Sequence, residues 1–224
     1  NILNFNESNT EQWSYDFRGI TSGYESLYGQ EIHISKNGNI YILLQHNKFS
    51  GPYGYNDGHI FCFTPEGNVL WEKQFSPDND FTADLKSQVN PYSIATDNDN
   101  NLYVAGALVG SYQNISSNGS RDAFIEKFDK DGNRLDTFVF GGSDWDSINN
   151  ILISDDQEIY ISGSTQNNLN GQENQGGIDA FIGKYDIALN NQWTKIIGSS
   201  GYEDIQDFAI NSNNIFIGLR SDGD

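Results

Sequence analysis

Two short acidic segments carry the residue types that most readily do chemistry in this chain. They are Asp97-Asn-Asp99-Asn-Asn101 and Asp129-Lys-Asp131-Gly-Asn133. Oxygen ligands at alternate positions suit a hard cation such as Ca²⁺. Neither segment follows with the bidentate Glu that closes an EF-hand loop. Comparable segments elsewhere, Thr64-Pro-Glu66-Gly and Asp186-Ile-Ala-Leu189, lack the second acid. Asp97, Asp99, Asp129 and Asp131 are therefore weak candidate Ca²⁺ ligands, and an Asp/Asn turn is the stronger reading. A second acidic pattern sits beside aromatics: Asp144-Trp145-Asp146 and Tyr202-Glu203-Asp204. Paired carboxylates can hydrolyse glycosides. This pair recurs along the chain, though, and a single active site would not. The expectation is a structural corner whose acid accepts backbone N–H groups.

The remaining chemical residues are sparse. His33, His46 and His59 lie close together in sequence without the spacing of a zinc site. Cys62 stands alone in Ile60-Phe61-Cys62-Phe63, so no intrachain disulfide can form, and it reads as a small core residue. No G-x-S-x-G elbow, P-loop or dinucleotide fingerprint is present. No catalytic and no cofactor-binding residue is assigned, and no cofactor is expected beyond the weak Ca²⁺ candidates.

The elements that position these residues are legible from repetition. The chain has 224 residues, 23 of them Gly, with Asn and Asp scattered throughout. That punctuation marks many short strands. A turn-then-strand landmark recurs as Gly38-Asn-Ile-Tyr41-Ile, Asn100-Asn-Leu-Tyr103-Val, Gln157-Glu-Ile-Tyr160-Ile and Asn213-Asn-Ile-Phe216-Ile. Its period is roughly 57 residues, which indicates a tandem array. A hairpin landmark recurs as Phe63-Thr-Pro-Glu-Gly-Asn68, Phe128-Asp-Lys-Asp-Gly-Asn133 and Tyr185-Asp-Ile-Ala-Leu-Asn190. Asp122-Ala-Phe-Ile is echoed by Asp179-Ala-Phe-Ile, and Trp13, Trp71 and Trp193 share one repeat position. Each unit reads as four strands, A to D. For the third unit they are 147–154, 158–162, 179–185 and 192–197. Runs apolar on both faces, such as Ile151-Leu-Ile153, fit sheets covered on both sides. In a β-propeller, neighbouring blades sandwich each sheet in this way. The three tryptophans are then expected to pack between blades.

The fold class is thus all-β, a β-propeller of four-stranded antiparallel blades with about four units present. The units span approximately 12–75, 76–140, 141–197 and a partial 198–224. Gln12-Trp13 aligns with Gln192-Trp193, so the chain is expected to open on a strand D and to close after a strand B. A four-bladed ring would then lack one strand C. The polypeptide is expected to continue into further repeats of a larger ring.

The net charge is −19, with 12 Lys and Arg that nowhere cluster. A polyanion such as nucleic acid or an anionic membrane surface is repelled at long range. No apolar run is long enough for a membrane helix.

The run from Ile161-Ser-Gly-Ser-Thr to Gly177-Ile-Asp-Ala-Phe-Ile-Gly-Lys-Tyr185 resembles the bacterial SBBP β-propeller repeats, especially those of large cyanobacterial and other aquatic surface or secreted proteins. The second unit is similar, and the first diverges, with Gly58-His-Ile in place of Ala-Phe-Ile. The resemblance implies an extracellular or cell-surface protein and supplies no catalytic residues. The expected function is a non-enzymatic interaction or structural module with a glycan or protein ligand. The alternative is an enzyme domain, a polysaccharide lyase, hydrolase or quinone-type oxidoreductase, with its site in the propeller channel. Long polar B–C loops are the expected partner surface, with Tyr53 and Tyr55 in the first, Tyr112 in the second, and Asn168 and Asn170 in the third.

Overall fold

In a computed structural model, the structure describes residues 1–17, 26–50, 53–77, 87–211 and 214–222, the side chains of 49–50 and 53–55 excepted. The described residues form strands joined by turns and short loops. The first complete blade comprises β3 (Ser26–Ile34), β4 (Ile40–Ser50), β5 (Tyr53–Phe63) and β6 (Val69–Phe75). The second comprises β7 (Gln88–Thr96), β8 (Leu102–Val109), β11 (Asp122–Phe128) and β12 (Arg134–Phe140). Its B–C segment folds into a small hairpin, β9 (Ser111–Tyr112) and β10 (Ile115–Ser116). The third blade comprises β13 (Asp146–Ile153), β14 (Ile159–Thr165), β15 (Asp179–Tyr185) and β16 (Asn191–Ile197). Each blade is an antiparallel meander in which sequence order is spatial order.

The chain ends differ from expectation. β1 (Ile2–Phe5) pairs with β2 (Glu11–Tyr15), so the array opens on a hairpin and not on a lone strand D. Its register places Asn4 opposite Trp13 and breaks between Asn4 and Phe5. The blades place Cys62 opposite Trp71 and Lys184 opposite Trp193, and break at the same point. β1–β2 is therefore a C–D hairpin. At the other end β17 (Glu203–Asn211) and β18 (Asn214–Ser221) form an A–B hairpin with no third strand among the described residues. The described strands form three blades and two half-blades, with no closed ring.

Blade packing follows from strands that are apolar on both faces. One core joins β1–β2 to the first blade through Phe17, Ile42, Phe61 and Phe63. The next joins first and second blades through Tyr41, Leu43, Val104 and Phe124. A third joins second and third blades through Tyr103, Ile125, Ile151 and Phe181. The last joins the third blade to β17–β18 through Ala180, Ile182, Ile205 and Phe208. Each complete blade is sandwiched between two neighbours, which is the burial that a propeller requires.

The C–D turns share one geometry. Asn6, Thr64, Asp129 and Asp186 each close a turn to the residue four positions on, by a backbone bond from their own N–H. The fourth residue of each turn is left-handed: Asn9 (φ 57°), Gly67 (φ 87°), Gly132 (φ 80°) and Leu189 (φ 65°). Asn and Gly enter that region at little cost, and Leu does not. A corner of this kind twists the two strands together.

Candidate functional site

The B–C connections and the D–A connections meet at one end of the blades. There each strand C carries an equivalent acid, Asp57 within β5 and Asp122 and Asp179 at the starts of β11 and β15, all buried. Asp57 is held by Lys48 Nζ (2.6 Å), Gln74 Nε2 (2.7 Å) and Ser76 Oγ (3.2 Å), with His46 Nδ1 at 3.4 Å. Asp122 accepts the Asn118 N–H, and Asp179 accepts the Gln175 N–H. Burial holds the carboxyl groups of Asp122 and Asp179 above the usual range. These acids order their own loops.

Just outside them, consecutive blades are latched by backbone. Asp146 N donates to Arg121 O at 2.9 Å, and Glu203 N donates to Ile178 O at 2.8 Å. The acid–aromatic corners are the receiving half of these latches. Asp146 accepts from Gly142 N (2.8 Å), Thr165 Oγ1 (2.5 Å) and Asn167 Nδ2 (2.9 Å). Glu203 accepts from Ser199 N (2.8 Å), Ser199 Oγ (2.7 Å) and Ser221 Oγ (3.0 Å). These bonds commit their oxygens to the corner geometry.

Strand A supplies the side chains that reach the mouth. Its register slips by one residue between Gly29 and Glu31, Pro91 and Ser93, Ile148 and Asn150, and Ile205 and Asp207. The extra residues are Gln30, Tyr92, Asn149 and Gln206. A bulge re-aims the side chain at its extra position. Tyr92 accepts a hydrogen bond from Arg121 Nη2, and the Arg121 guanidinium stands 4.6 Å from the Trp145 ring centroid. Trp145 is 46% exposed. In the next blade Asn149 Nδ2 donates to Asp204 Oδ1 at 2.6 Å, and Gln206 Nε2 donates to Asp204 Oδ2 at 2.7 Å. Tyr202 lies under Arg220, 5.4 Å from its guanidinium. On the first two blades Gln45 Nε2 and Asn56 Nδ2 both donate to Asn90 Oδ1. The mouth thus offers aromatic faces, guanidinium groups and primary amides. It presents groups that recognise hydroxyls and planar surfaces.

The residues singled out from sequence are distributed otherwise. Asp97 and Asp129 lie at the opposite end of the blades, in the A–B and C–D turns. Asp97 accepts from Asp99 N, Asn101 N and Asn101 Nδ2; Asp129 accepts from Asp131 N, Asn133 N and Asn133 Nδ2. Each is the internal acceptor of its turn. No group of three or more His, Cys, Asp or Glu is arranged to hold a metal ion among the described residues. Asn168 and Asn170 are exposed in the third B–C loop. Asn168 Oδ1 caps Asn174 N, and Asn170 Nδ2 reaches Tyr185 Oη and Thr194 Oγ1.

Two partner-surface expectations need correction. Tyr112 is buried, because its hydroxyl turns inward to donate to Glu126 Oε2 at 2.9 Å. Arg134 Nε lies 2.7 Å from the other oxygen of Glu126. The first B–C segment is not a loop: Gln45–Ser50 and Tyr53–Gly58 pair as strands. The side chains of Tyr53 and Tyr55 lie outside the described residues. The mouth cluster of Tyr92, Arg121 and Trp145 was missed. Its signal was a break in the repeat, since Arg121 stands where the other units have Asn56 and Ile178.

Residues 81–107 match the model of the SBBP family, a beta-propeller repeat. That match falls within the second unit. The chain is similar to "Regulatory protein FlaEY" of Caulobacter vibrioides, at 20% identity over 185 residues, covering 76% of this chain and 19% of that protein. It therefore spans less than a fifth of the relative's length. Two variants of the Synechocystis apocarotenoid oxygenase resemble it in structure at 13% identity, with TM-scores of 0.43 and 0.42. Each alignment covers 87% of this chain and 44% of the oxygenase.

Proposed function

We propose that this chain is a non-enzymatic recognition module that binds a neutral glycan at the mouth formed by Tyr92, Arg121, Trp145, Asn149 and Asp204. One observation carries the reading. The acids at this end of the blades serve the fold, whereas the exposed Trp145 ring, braced by Arg121, serves no core. An exposed aromatic face beside amides and a guanidinium suits the C–H faces and hydroxyls of a sugar. The net charge of −19 disfavours an anionic polysaccharide. The extracellular or cell-surface setting is proposed on the acidic composition and on the SBBP resemblance.

The test is a glycan array probed with the chain and with its Trp145→Ala and Arg121→Ala variants. Retention of a neutral glycan by the wild type, lost at least ~10-fold in Trp145→Ala at unchanged melting temperature, is the expected result. Wild-type retention equal to that of Trp145→Ala would overturn the reading, as would no retained glycan at all.

A further inference from the structure

Four side chains depart from the repeat together where the first blade meets the second. By strand register, Phe128 corresponds to Phe63 and Tyr185, so Glu126 stands where the other complete blades have Phe61 and Gly183. Arg134 pairs with Phe128 as Val69 pairs with Phe63 and Asn191 with Tyr185. The Tyr112–Ile115 bridge corresponds to the Leu169–Gln172 bridge of the third blade, so Tyr112 stands where that blade has Leu169. Lys73 faces them from β6, paired with Ile60 as Phe138 is paired with Ile125 one blade later.

The junction of the second and third blades supplies the control. There the corresponding positions close on one another: Phe138 packs on the Tyr185 ring at 6.4 Å between centroids, and Leu169 is buried in the same core. At the junction of the first and second blades a groove of about 210 Å³ remains. Its floor is Phe75, Tyr112 and Phe128, all buried. The Phe75 ring stands 5.8 Å from Phe128 and 6.3 Å from Tyr112. Lys73 is exposed, and its partner Ile60 belongs to the core between these two blades, so Lys73 projects toward the second. Arg134 is 32% exposed, with Nε 2.7 Å from Glu126 Oε1. Tyr112 Oη donates to the other oxygen of Glu126 at 2.9 Å. The fold does not call for this set, since the neighbouring junction closes without it.

Two cations and one carboxylate leave the groove positive in a chain of net charge −19. Acids farther off than the Debye length, about 8 Å in physiological salt, are screened, so the local pair decides what is attracted. The volume holds about seven waters at liquid density, which limits the ligand to a small molecule. Buried rings beneath two cations suit a short carbon skeleton that ends in a carboxylate.

We propose that this groove binds a small monocarboxylate, its carboxylate held between Lys73 and Arg134 and its apolar body laid on Phe75, Tyr112 and Phe128. The site uses none of the residues at the mouth and does not depend on glycan binding there. Glu126 regulates it. Burial holds the Glu126 carboxyl up to about 7, and Lys73, Tyr112 and Arg134 are the titratable side chains that line the groove with it. Ionised, Glu126 competes with the ligand for Arg134; protonated, it releases the guanidinium. Binding therefore takes up a proton near neutrality, and affinity falls as pH rises through about 7.

The test titrates sodium butyrate into the 224-residue chain at constant ionic strength, read by calorimetry and by amide chemical shifts. At pH 6, saturation in the low millimolar range is expected, with the shifts gathered on β6, β9 and β12. Butyramide, which keeps the shape without the charge, is expected to bind at least ~10-fold more weakly, and butyrate is expected to bind Lys73→Gln more weakly by a similar factor. Between pH 6 and pH 8 the wild type is expected to weaken ~5-fold or more, while Glu126→Gln keeps its affinity. Shifts that never saturate would overturn the proposal, as would butyramide binding as tightly as butyrate or an unchanged affinity in Lys73→Gln. Parallel pH profiles for the wild type and Glu126→Gln would overturn the regulation by Glu126.

Discussion

Glu126 is the side chain whose ionisation should matter most to this fold. It is buried in the second blade, and burial pushes its carboxyl up to about 7 despite Tyr112 and Arg134 at its oxygens. A carboxyl whose folded value is raised binds its proton more tightly in the native state. Native stability therefore falls as pH rises from the unfolded value of 4.5 through about 7. Glu126→Gln keeps an acceptor for Tyr112 and removes the titration. Relative to that variant, the wild type should lose on the order of 2 kcal/mol between pH 4.5 and 7.5, read from urea midpoints. Parallel curves for the two proteins would refute it. The turn acids act with opposite sign. Hydrogen bonds from the Asn133 side chain and backbone hold Asp129 below its usual range, so its contribution is present at neutral pH and fades in acid. Asp129→Ala should lower the melting temperature at pH 7, because the turn loses the acceptor of three hydrogen bonds. The same deficit should appear in EDTA and in Ca²⁺, because the acceptor serves the turn.

At the scale of elements, the pairing of Trp with turn Gly is the testable rule. Trp71 lies against the turn of Gly132, and at the next blade junction Asp136 stands in the Trp position where the turn holds Leu189. Gly132→Leu puts a side chain against Trp71 and strains φ at a left-handed position, so about 2 kcal/mol or more should be lost. Adding Trp71→Asp recreates that next junction and should recover part of that loss, a coupling that a double-mutant cycle measures. Additive losses would show that the indole and the turn do not sense each other. The same rule explains what was readable from sequence. The three middle blades were legible because aromatic, Asn and Gly recur at fixed offsets, and strands C and D of the third unit emerge within a residue of expectation. The leading hairpin was not, because Leu3-Asn4-Phe5 carries no Ala-Phe-Ile signature and its turn has Asn9 in place of glycine. Tyr112 read as a loop residue because two-residue strands have no periodicity to detect. The mouth of the blades was legible only at Arg121, where the repeat breaks. A one-residue bulge decides that Tyr92 turns toward Arg121, and a bulge leaves no mark on local composition.

The whole molecule carries 31 acidic against 12 basic residues, and few of its ion pairs are buried. Exposed pairs such as Lys36–Asp155 at 3.4 Å and Arg220–Asp222 at 3.4 Å contribute little in high dielectric. The uncompensated charge repels itself, and each blade adds to the strain on its neighbours. Screening should therefore stabilise the protein. Raising NaCl from about 20 mM to about 0.5 M shortens the Debye length from roughly 20 Å to about 4 Å and should raise the melting temperature by several degrees. Mg²⁺ and Ca²⁺ at matched ionic strength should act alike, because both would neutralise a diffuse field. A Ca²⁺-specific rise, absent with Mg²⁺ and removed by Asp97→Asn or Asp129→Asn, would show instead that the turn acids gather a cation. The charge ledger alone would then no longer account for the response to salt.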